Sequence, residues 1–426
     1  MTFARRIFVL WSLLFVGLTM VSPAHAAEPG EELVIAVLTF GPGDHPFFKF
    51  GHNAILVHDA SIQRDMVYNF GTFSFDSPWL LVDFLKGRLK YWLSVQSLRG
   101  TVAAYRQEAR SIDVQELNLT PAQRRALAND LEQNASGDNK YYKYDYYRDN
   151  CSTRVRDVVD RAIGGRLHDA SRGPASMSWR DHTRRLTADD LPVYLGLHVA
   201  MGDLIDRKID VWDEMFLPAK LQETLRRVMV VGPQGEEPLV KKEQLLLAAD
   251  RPPVRTTPPH WTPRMAGLGV LLGGVLAVLG RSAARSRSAR ILLGLLLALT
   301  GFLLGILGWI FSLLWAFTDH EVAHRNENIL QCVPWALLLV ALALNAARGS
   351  RRSLDLTFRL TLAAAAASLL GLLLKALPWF DQNNWEIIAL LLPFWAGAAF
   401  ALVAWRRAHD AQFSPKKLAQ RTSRNR

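Results

Sequence analysis

Cysteine is scarce in this chain, because Cys151 and Cys332 are the only two among 426 residues. An exported domain stabilised by disulfides uses more of them, so the fold must depend on an apolar core. Charge is also scarce in the long apolar runs of residues 264–405, a segment that consists mostly of Leu, Ala, Gly, Val and Trp. A single water-soluble globule is therefore excluded, and the 50% apolar content excludes a disordered chain.

Positive charge is concentrated in three short segments. Apolar runs occupy about 264–280, 291–317, 332–347, 356–377 and 386–405, and most approach the ~20 residues that cross a bilayer. The segments 281–290, 348–355 and 406–426 hold 4, 3 and 7 lysines and arginines against two aspartates, which accounts for the net charge of +11. This is the positive-inside pattern of five membrane helices, so the basic composition implies no nucleic-acid partner.

The part of the chain before the apolar runs is predicted to be exported. Residues 1–26 have the positive start, apolar stretch and small-residue cleavage site of a signal peptide, with an uncleaved membrane anchor as the alternative. Residues 27–230 are then an α+β domain and residues 231–262 a proline-rich tether. Residues 263–405 form a five-helix transmembrane bundle, and residues 406–426 form a basic cytoplasmic tail.

The exported domain begins with strands and continues with helices. Apolar alternation and β-branched runs predict strands over 33–39, 52–58, 66–70, 90–96 and 112–119. Thr120 and Pro121 are typical of an N-cap and a first helical residue, and predict a helix to about 134. The spacing of valines after Cys151 predicts another helix, which Gly164 and Gly165 end.

Cys151 is the candidate nucleophile. At the first turn of its predicted helix, free N–H groups and the helix dipole stabilise a thiolate and can hold an oxyanion. A nucleophilic cysteine needs a histidine base and an orienting group. His52 opens an apolar strand and is the candidate base. Asn69, on the next strand, is the predicted orienting residue, and Asp76 is a weaker one.

Residue type alone leaves other interpretations open. Cys151 at a helix start and His52 at a strand start also occur as inert packing residues. In an oxidising compartment, Cys151 and Cys332 can instead form a disulfide that holds the domain to the membrane.

The motifs Phe50-Gly51-His52, Tyr68-Asn69-Phe70-Gly71 and Asp149-Asn150-Cys151-Ser152-Thr153-Arg154 together resemble the exported domain of the Lnb-like membrane proteins. Their order, histidine first and cysteine about a hundred residues later, is similar to circularly permuted papain-like folds of the NlpC type. The resemblance implies such a fold, with His52 as base and Cys151 as nucleophile, and the family's activity implies lipoprotein acyl transfer.

The same resemblance implies residues that bind the substrate. Asn150 and Tyr68 belong to the motifs around the predicted dyad. His320, Asn326 and Asn328 lie in the outward loop between the second and third apolar runs, which the resemblance covers more loosely.

That loop also contains a metal-binding string, Asp319-His320-Glu321-Val322-Ala323-His324. On a helix, His320 and His324 would face the same way and bind zinc, with Glu321 as general base. A zinc site needs a third ligand, and none follows within the loop. The prediction is therefore a site without a cofactor, and zinc is kept as the alternative.

These observations predict a thiol acyltransferase at the outer face of the inner (cytoplasmic) membrane. The acyl chain would pass through a thioester on Cys151, and the partners would be membrane lipid and a lipoprotein substrate. Three alternatives stay open: a cell-envelope amidase or peptidase that uses the same dyad, a zinc peptidase built on His320 and His324, and a membrane protein without enzymatic activity.

Overall fold

The computed structural model describes residues 28–74, 83, 86–232, 235–283 and 285–412. The predicted signal peptide, Asp76 and the tail beyond residue 412 lie outside the described residues. The described chain forms a mixed α/β domain followed by a helical region, as the sequence predicts.

A seven-stranded antiparallel sheet forms the centre of the N-terminal domain. Its strand order is β6-β4-β3-β2-β1-β5-β9. The first five strands occupy the segments that apolar alternation predicts: β1 (Leu33–Phe40), β2 (His52–Asp59), β3 (Arg64–Thr72), β4 (Lys90–Ser97) and β5 (Ile112–Leu117). The short β6 (Tyr141–Lys143) pairs with β4 at one edge of the sheet.

The predicted tether over residues 231–262 is wrong for its first half. This segment carries β7 (Met229–Gly232), β8 (Gly235–Pro238) and β9 (Val240–Leu247). Strands β7 and β8 form a hairpin, and β9 pairs with β5 at the second edge of the sheet. Six of the eight residues of β9 are exposed and the other two are half-buried, so the strand has no buried apolar face that alternation could reveal.

Helices cover both faces of the sheet. On one face lie α2 (Pro121–Ala135), α3 (Cys151–Ala162) and α8 (Pro218–Leu225), which bury Leu131, Val155 and Leu221 against Ile35 and Ile55. On the other face lies α1 (Leu98–Gln107), which packs against Phe40, Leu56 and Val67. The capping box predicted at Thr120 is present, since its side chain accepts from the N–H of Gln123. The remaining helices of the domain are α4 (Arg166–Asp169), α5 (Trp179–Thr187), α6 (Leu191–Ala200) and α7 (Val211–Glu214).

Among the described residues of the C-terminal region, four helices are long and apolar enough to cross a membrane, or five if one bent pair of helices is taken as a single span. The long helices are α9 (Thr262–Ala283), α10 (Arg287–Phe317), α12 (Arg351–Leu374) and α13 (Trp385–Gln412). The predicted third run, 332–347, corresponds to the helical segment Pro334–Ala347, which contains α11 (Leu339–Ala347). A second helical segment, Glu321–Leu330, precedes it and meets it at a bend of 60°, so the third span is a bent pair rather than one straight helix.

Small residues allow the long helices to pack closely. A Cβ placed on Gly273 of α9 would lie 2.5 Å from the carbonyl oxygen of Pro393 in α13, so only glycine fits there. In a bilayer such close contact replaces the hydrophobic force that drives packing in water.

A buried polar cluster joins the domain to the helical region. Glu386, at the start of α13, accepts from the Tyr194 hydroxyl at 2.7 Å and from the Arg184 guanidinium. Buried amides continue the contact, because Asn326 and Asn328 donate to the carbonyl oxygen of Val199 at the end of α6, at 2.8 and 3.0 Å. The domain is therefore fixed on the membrane-spanning helices through satisfied buried groups.

Candidate functional site

Asn150 sets the start of α3. Its side-chain oxygen accepts from the N–H groups of Ser152 and Thr153 at 2.8 and 3.0 Å, and its amide donates to the carbonyl oxygens of Tyr146 and Phe216. This cap makes Cys151 the first residue of the helix and leaves its own N–H free for the site.

The Cys151 thiol is buried among hydrogen-bond donors. Burial is the largest influence on its pKa, which lies above the ordinary value, so the thiol is protonated at neutral pH. The backbone N–H groups of Asn53, Ser152 and Cys151 and the hydroxyl of Tyr144 act in the opposite direction, because each hydrogen-bonds the sulfur and stabilises its charged form. Such a set of donors suits a thiolate or an oxyanion formed beside it.

The backbone of β2 can reach this sulfur because the sheet opens there. Pairing between β2 and β3 ends at Ile55 and Tyr68, so the N–H of Asn53 is not used by β3. Beyond that point Gly71 has φ +90°, and a Cβ there would lie 3.3 Å from the Tyr144 ring and 3.5 Å from the Cβ of Cys151. Glycine at position 71 thus makes room for both side chains.

The predicted base and its orienting residue lie together. His52 hydrogen-bonds the side chain of Asn69 and stacks on Phe40, with ring centroids 5.6 Å apart. Desolvation, followed by the positive charge of Arg110, lowers the His52 pKa to about 4, and the bond to Asn69 opposes this shift. The imidazole is therefore neutral at physiological pH, which is the form that accepts a proton.

His52 and Cys151 approach the same end of the sheet from different faces. By strand alternation His52 shares a face with Ala54 and Leu56, whereas Cys151 packs in the core that contains Ile55. Asn53, the residue after His52, bonds the sulfur. No hydrogen bond joins the His52 ring to the thiol in the described part of the chain, so the catalytic dyad stays a prediction.

A cavity of about 270 Å³ lies beside the thiol site. Tyr91 and Tyr144 form one wall, and the loop after α10 forms the opposite wall with His320 and Glu321. His320 also stacks on Tyr146, with ring planes 11° apart, so this predicted substrate contact does border the cavity. Tyr144 lines the cavity and also hydrogen-bonds the Cys151 sulfur, so it connects the cavity to the nucleophile.

Ion pairs hold the loop against the domain at the rim of this cavity. Asp319 pairs with Arg88 at 3.1 Å and with Lys143 at 3.4 Å, and Glu321 pairs with Arg148 at 2.8 Å. All three are partly exposed, so each contributes no more than ~1 kcal/mol to the contact.

The other predicted substrate contacts are buried at rest. Asn150 caps α3 next to Cys151 and is 5% exposed. Tyr68 packs in the domain core, on the opposite face of β3 from Asn69. Asn326 and Asn328 are 2% and 0% exposed and bind backbone of the domain, so they hold it in place. The contact of these four residues with substrate stays a prediction.

The metal-binding alternative lacks its helix. Glu321–Ala323 is a single 3-10 turn flanked by His320 and His324, whose spacing of four suits only an α-helix. His324 bonds the carbonyl oxygen of Thr318 at 3.0 Å, and Glu321 is paired with Arg148. Among the residues described, no group of three or more His, Cys, Asp or Glu side chains has metal-site geometry.

The disulfide alternative is wrong, because Cys151 and Cys332 are both free and buried. Cys332 lies in the core of the helical region, packed with Phe311 and Ala336, whereas Cys151 belongs to the core of the domain.

Sequence reasoning missed Tyr144, Gly71 and the backbone of Asn53 as parts of the site. The signal for Tyr144 was present, since it lies in a segment with five tyrosines among residues 141–147, immediately before the helix that carries Cys151. Nothing in the sequence singles out the N–H of Asn53, because it depends on where strand pairing ends.

Two family models match the chain. The Lnb N-terminal periplasmic domain matches residues 25–185, and the Lnb transmembrane domain matches residues 256–404. No curated protein and no solved structure matches it. The first match contains His52, Asn69, Tyr144 and Cys151, and the second contains the loop that closes the cavity. Both matches follow the observed order of an α/β domain and apolar helices, and the chain therefore belongs to the Lnb family of membrane proteins, with a periplasmic N-terminal domain.

Proposed function

We propose that this protein is a thiol acyltransferase at the outer face of the inner membrane. It transfers a fatty acyl chain from a glyceryl ester of a membrane lipid or lipoprotein to an amine, through a thioester on Cys151. One observation carries this proposal. A cysteine at a helix start is surrounded by hydrogen-bond donors, and one of them, Tyr144, lines a cavity that is also lined by a loop between membrane-spanning segments.

The protonation states at rest suit general-base activation. The thiol keeps its proton because burial raises its pKa, and the imidazole is neutral because burial lowers its pKa to about 4. As the sulfur attacks the ester carbonyl, the thiol proton moves to His52, and the N–H donors hold the oxyanion. The carbon–oxygen bond to glycerol then breaks, and the leaving oxygen takes the proton from the imidazolium.

The second half of the reaction reverses these roles. The acceptor amine attacks the thioester carbonyl and gives a proton to His52. The carbon–sulfur bond breaks, and the proton returns to the Cys151 sulfur, so the enzyme is regenerated. Both halves require the His52 ring to hydrogen-bond the thiol in the substrate complex, so the ring must move around the open end of β2 from the face that it occupies at rest.

The position of the cavity favours a substrate held in lipid. Exposed tryptophans surround the end of the helical region that bears the domain: Trp309, Trp315, Trp335, Trp379 and Trp385. Such rings gather at the headgroup level of a bilayer. The loop with Asp319 and His320 follows α10 at this level, so an ester carbonyl near the membrane surface is within reach of the cavity.

The direct test is the state of lipoprotein N-termini in cells. We expect deletion of the gene to remove one acyl group from mature lipoproteins, detected by mass spectrometry of N-terminal peptides. The wild-type chain should restore it, and Cys151→Ser, which keeps the size of the side chain, should not. Restoration by Cys151→Ser would refute the thioester, and unchanged lipoproteins in the deletion strain would refute lipoproteins as the substrate class.

A further inference from the structure

Tyr144 connects the cavity to the nucleophile. Its ring stacks on Tyr91, with centroids 4.3 Å apart and planes 24° apart, and this pair lines the cavity. An edge of the ring approaches Gly71, where an added Cβ would come within 3.3 Å of Tyr144 Cε2 and 3.5 Å of the Cβ of Cys151. The ring is thus held between two fixed neighbours, and its position relative to the sulfur is set by packing.

The hydroxyl of Tyr144 contacts both polar parts of Cys151. It hydrogen-bonds the sulfur, and it accepts from the backbone N–H of the same residue. Burial, followed by the nearby charge of Cys151, raises the pKa of Tyr144 well above 10, so the phenol keeps its proton and acts as a donor at neutral pH. An acyl oxygen that entered from the cavity would meet this hydroxyl beside the N–H of Cys151.

We propose that Tyr144 is a catalytic residue whose hydroxyl holds the Cys151 sulfur at rest and donates to the oxyanion when the acyl carbonyl enters from the cavity. This inference rests on the proposed acyl transfer. The phenol gives no proton away, so it adds a hydrogen bond to the reaction and changes none of the bonds made or broken.

Tyr142 provides a matched control. Tyr142 lies two residues before Tyr144, and the Arg154 guanidinium covers its ring at 3.9 Å from the ring centroid. Burial, followed by the charge of Cys151, raises the pKa of Tyr142. Its hydroxyl, however, is buried without a hydrogen-bond partner. Removing that oxygen therefore leaves the sulfur's hydrogen bonds intact.

The experiment compares Tyr144→Phe, Tyr142→Phe and Cys151→Ser in the full-length protein, purified in detergent. Acylation is followed by release of p-nitrophenol from a p-nitrophenyl ester of a medium-chain fatty acid. Thiol reactivity is followed by the rate of iodoacetamide alkylation of Cys151 between pH 6 and 10.

We expect Tyr144→Phe to lower kcat about 100-fold with KM little changed, since one oxyanion donor contributes that much. Its alkylation at pH 8 should be about tenfold slower, because a hydrogen bond to the charged sulfur is lost. Tyr142→Phe should match wild type in both assays.

The outcomes separate this inference from the proposed function. If wild type is acylated at Cys151 and Tyr144→Phe behaves like Tyr142→Phe in both assays, the role of Tyr144 is refuted while acyl transfer stands. If wild type releases no p-nitrophenol, acyl transfer and its oxyanion donor are both refuted, although a shifted alkylation profile would still locate the hydroxyl on the sulfur. A change in KM alone would assign Tyr144 to substrate binding and overturn the catalytic role.

Discussion

Replacing Gly71 with alanine should disturb the thiol site without altering any of its reacting groups. Gly71 has φ +90°, a conformation that costs a residue with a Cβ ~1–2 kcal/mol. The new methyl group would also press on the Tyr144 ring at 3.3 Å and on the Cβ of Cys151 at 3.5 Å. These two side chains must move apart to accept it, and the hydrogen bond between the phenol and the sulfur is the contact that then weakens.

Gly165 isolates the effect of that crowding. It has φ +87°, nearly the same backbone strain, and no atom lies within 4 Å of the position where its Cβ would be. Both alanine variants should therefore lose ~1–2 kcal/mol of folding stability, visible as similar decreases in Tm. Only Gly71→Ala should also lose reactivity at Cys151, by up to about tenfold, the loss expected when the hydrogen bond from Tyr144 to the charged sulfur is removed.

The assay is iodoacetamide alkylation of Cys151 at pH 8, measured beside thermal unfolding of the same detergent-purified samples. Equal alkylation rates in Gly71→Ala and Gly165→Ala, with equal losses of Tm, would refute the argument that glycine is needed here to place Tyr144 against the thiol.

Further results are expected from pH, charge and metal removal. Alkylation of Cys151 should rise steadily from pH 7 to 9, because burial raises the thiol pKa, and a plateau from pH 7 would contradict this. On the acid side, kcat/KM should fall near pH 4, since the His52 imidazole stays neutral above that value, and a fall near pH 6.5 would argue against His52 as the base. His52→Ala should lower kcat/KM by ~10²–10⁴-fold. Glu386→Gln should destabilise the docked domain by ~3–5 kcal/mol, because Arg184 keeps an uncompensated buried charge, and unchanged limited proteolysis would contradict it. EDTA and His324→Ala should leave thioester formation unchanged, and bound zinc in elemental analysis would reopen the metal interpretation.

Apolar patterns predicted the elements that contribute most to the core. Strands β1 and β2 are buried on both faces and read as nearly continuous apolar runs, whereas helix α3 turns one apolar face to the core. The edge strand β9 and the helix α1 escaped the sequence analysis. In β9 no residue is buried, so the segment has no apolar face, and α1 follows β4 without an intervening turn residue.

Sequence predicts the residues of the site only where a side chain has a reactivity that suggests a role. Cys151, His52 and Asn69 carry side chains whose reactivity suggests a role, and the structure brings the last two together. The donors around the sulfur depend on tertiary geometry: the end of β2–β3 pairing frees one N–H, and a positive φ at Gly71 admits Tyr144. The amides of Asn326 and Asn328 look the same in sequence whether they bind substrate or carbonyl oxygens of the domain.

The proposed thioester is tested most directly by intact-protein mass spectrometry of the full-length protein after incubation with an activated long-chain acyl ester. Wild type should gain the mass of one acyl chain, released by neutral hydroxylamine and located by peptide mapping on Cys151. His52→Ala should form the adduct far more slowly, and Cys151→Ser should form none that neutral hydroxylamine releases. An adduct of equal yield in Cys151→Ser, or no adduct on any variant while lipoproteins are still acylated, would contradict the chemistry proposed for this site.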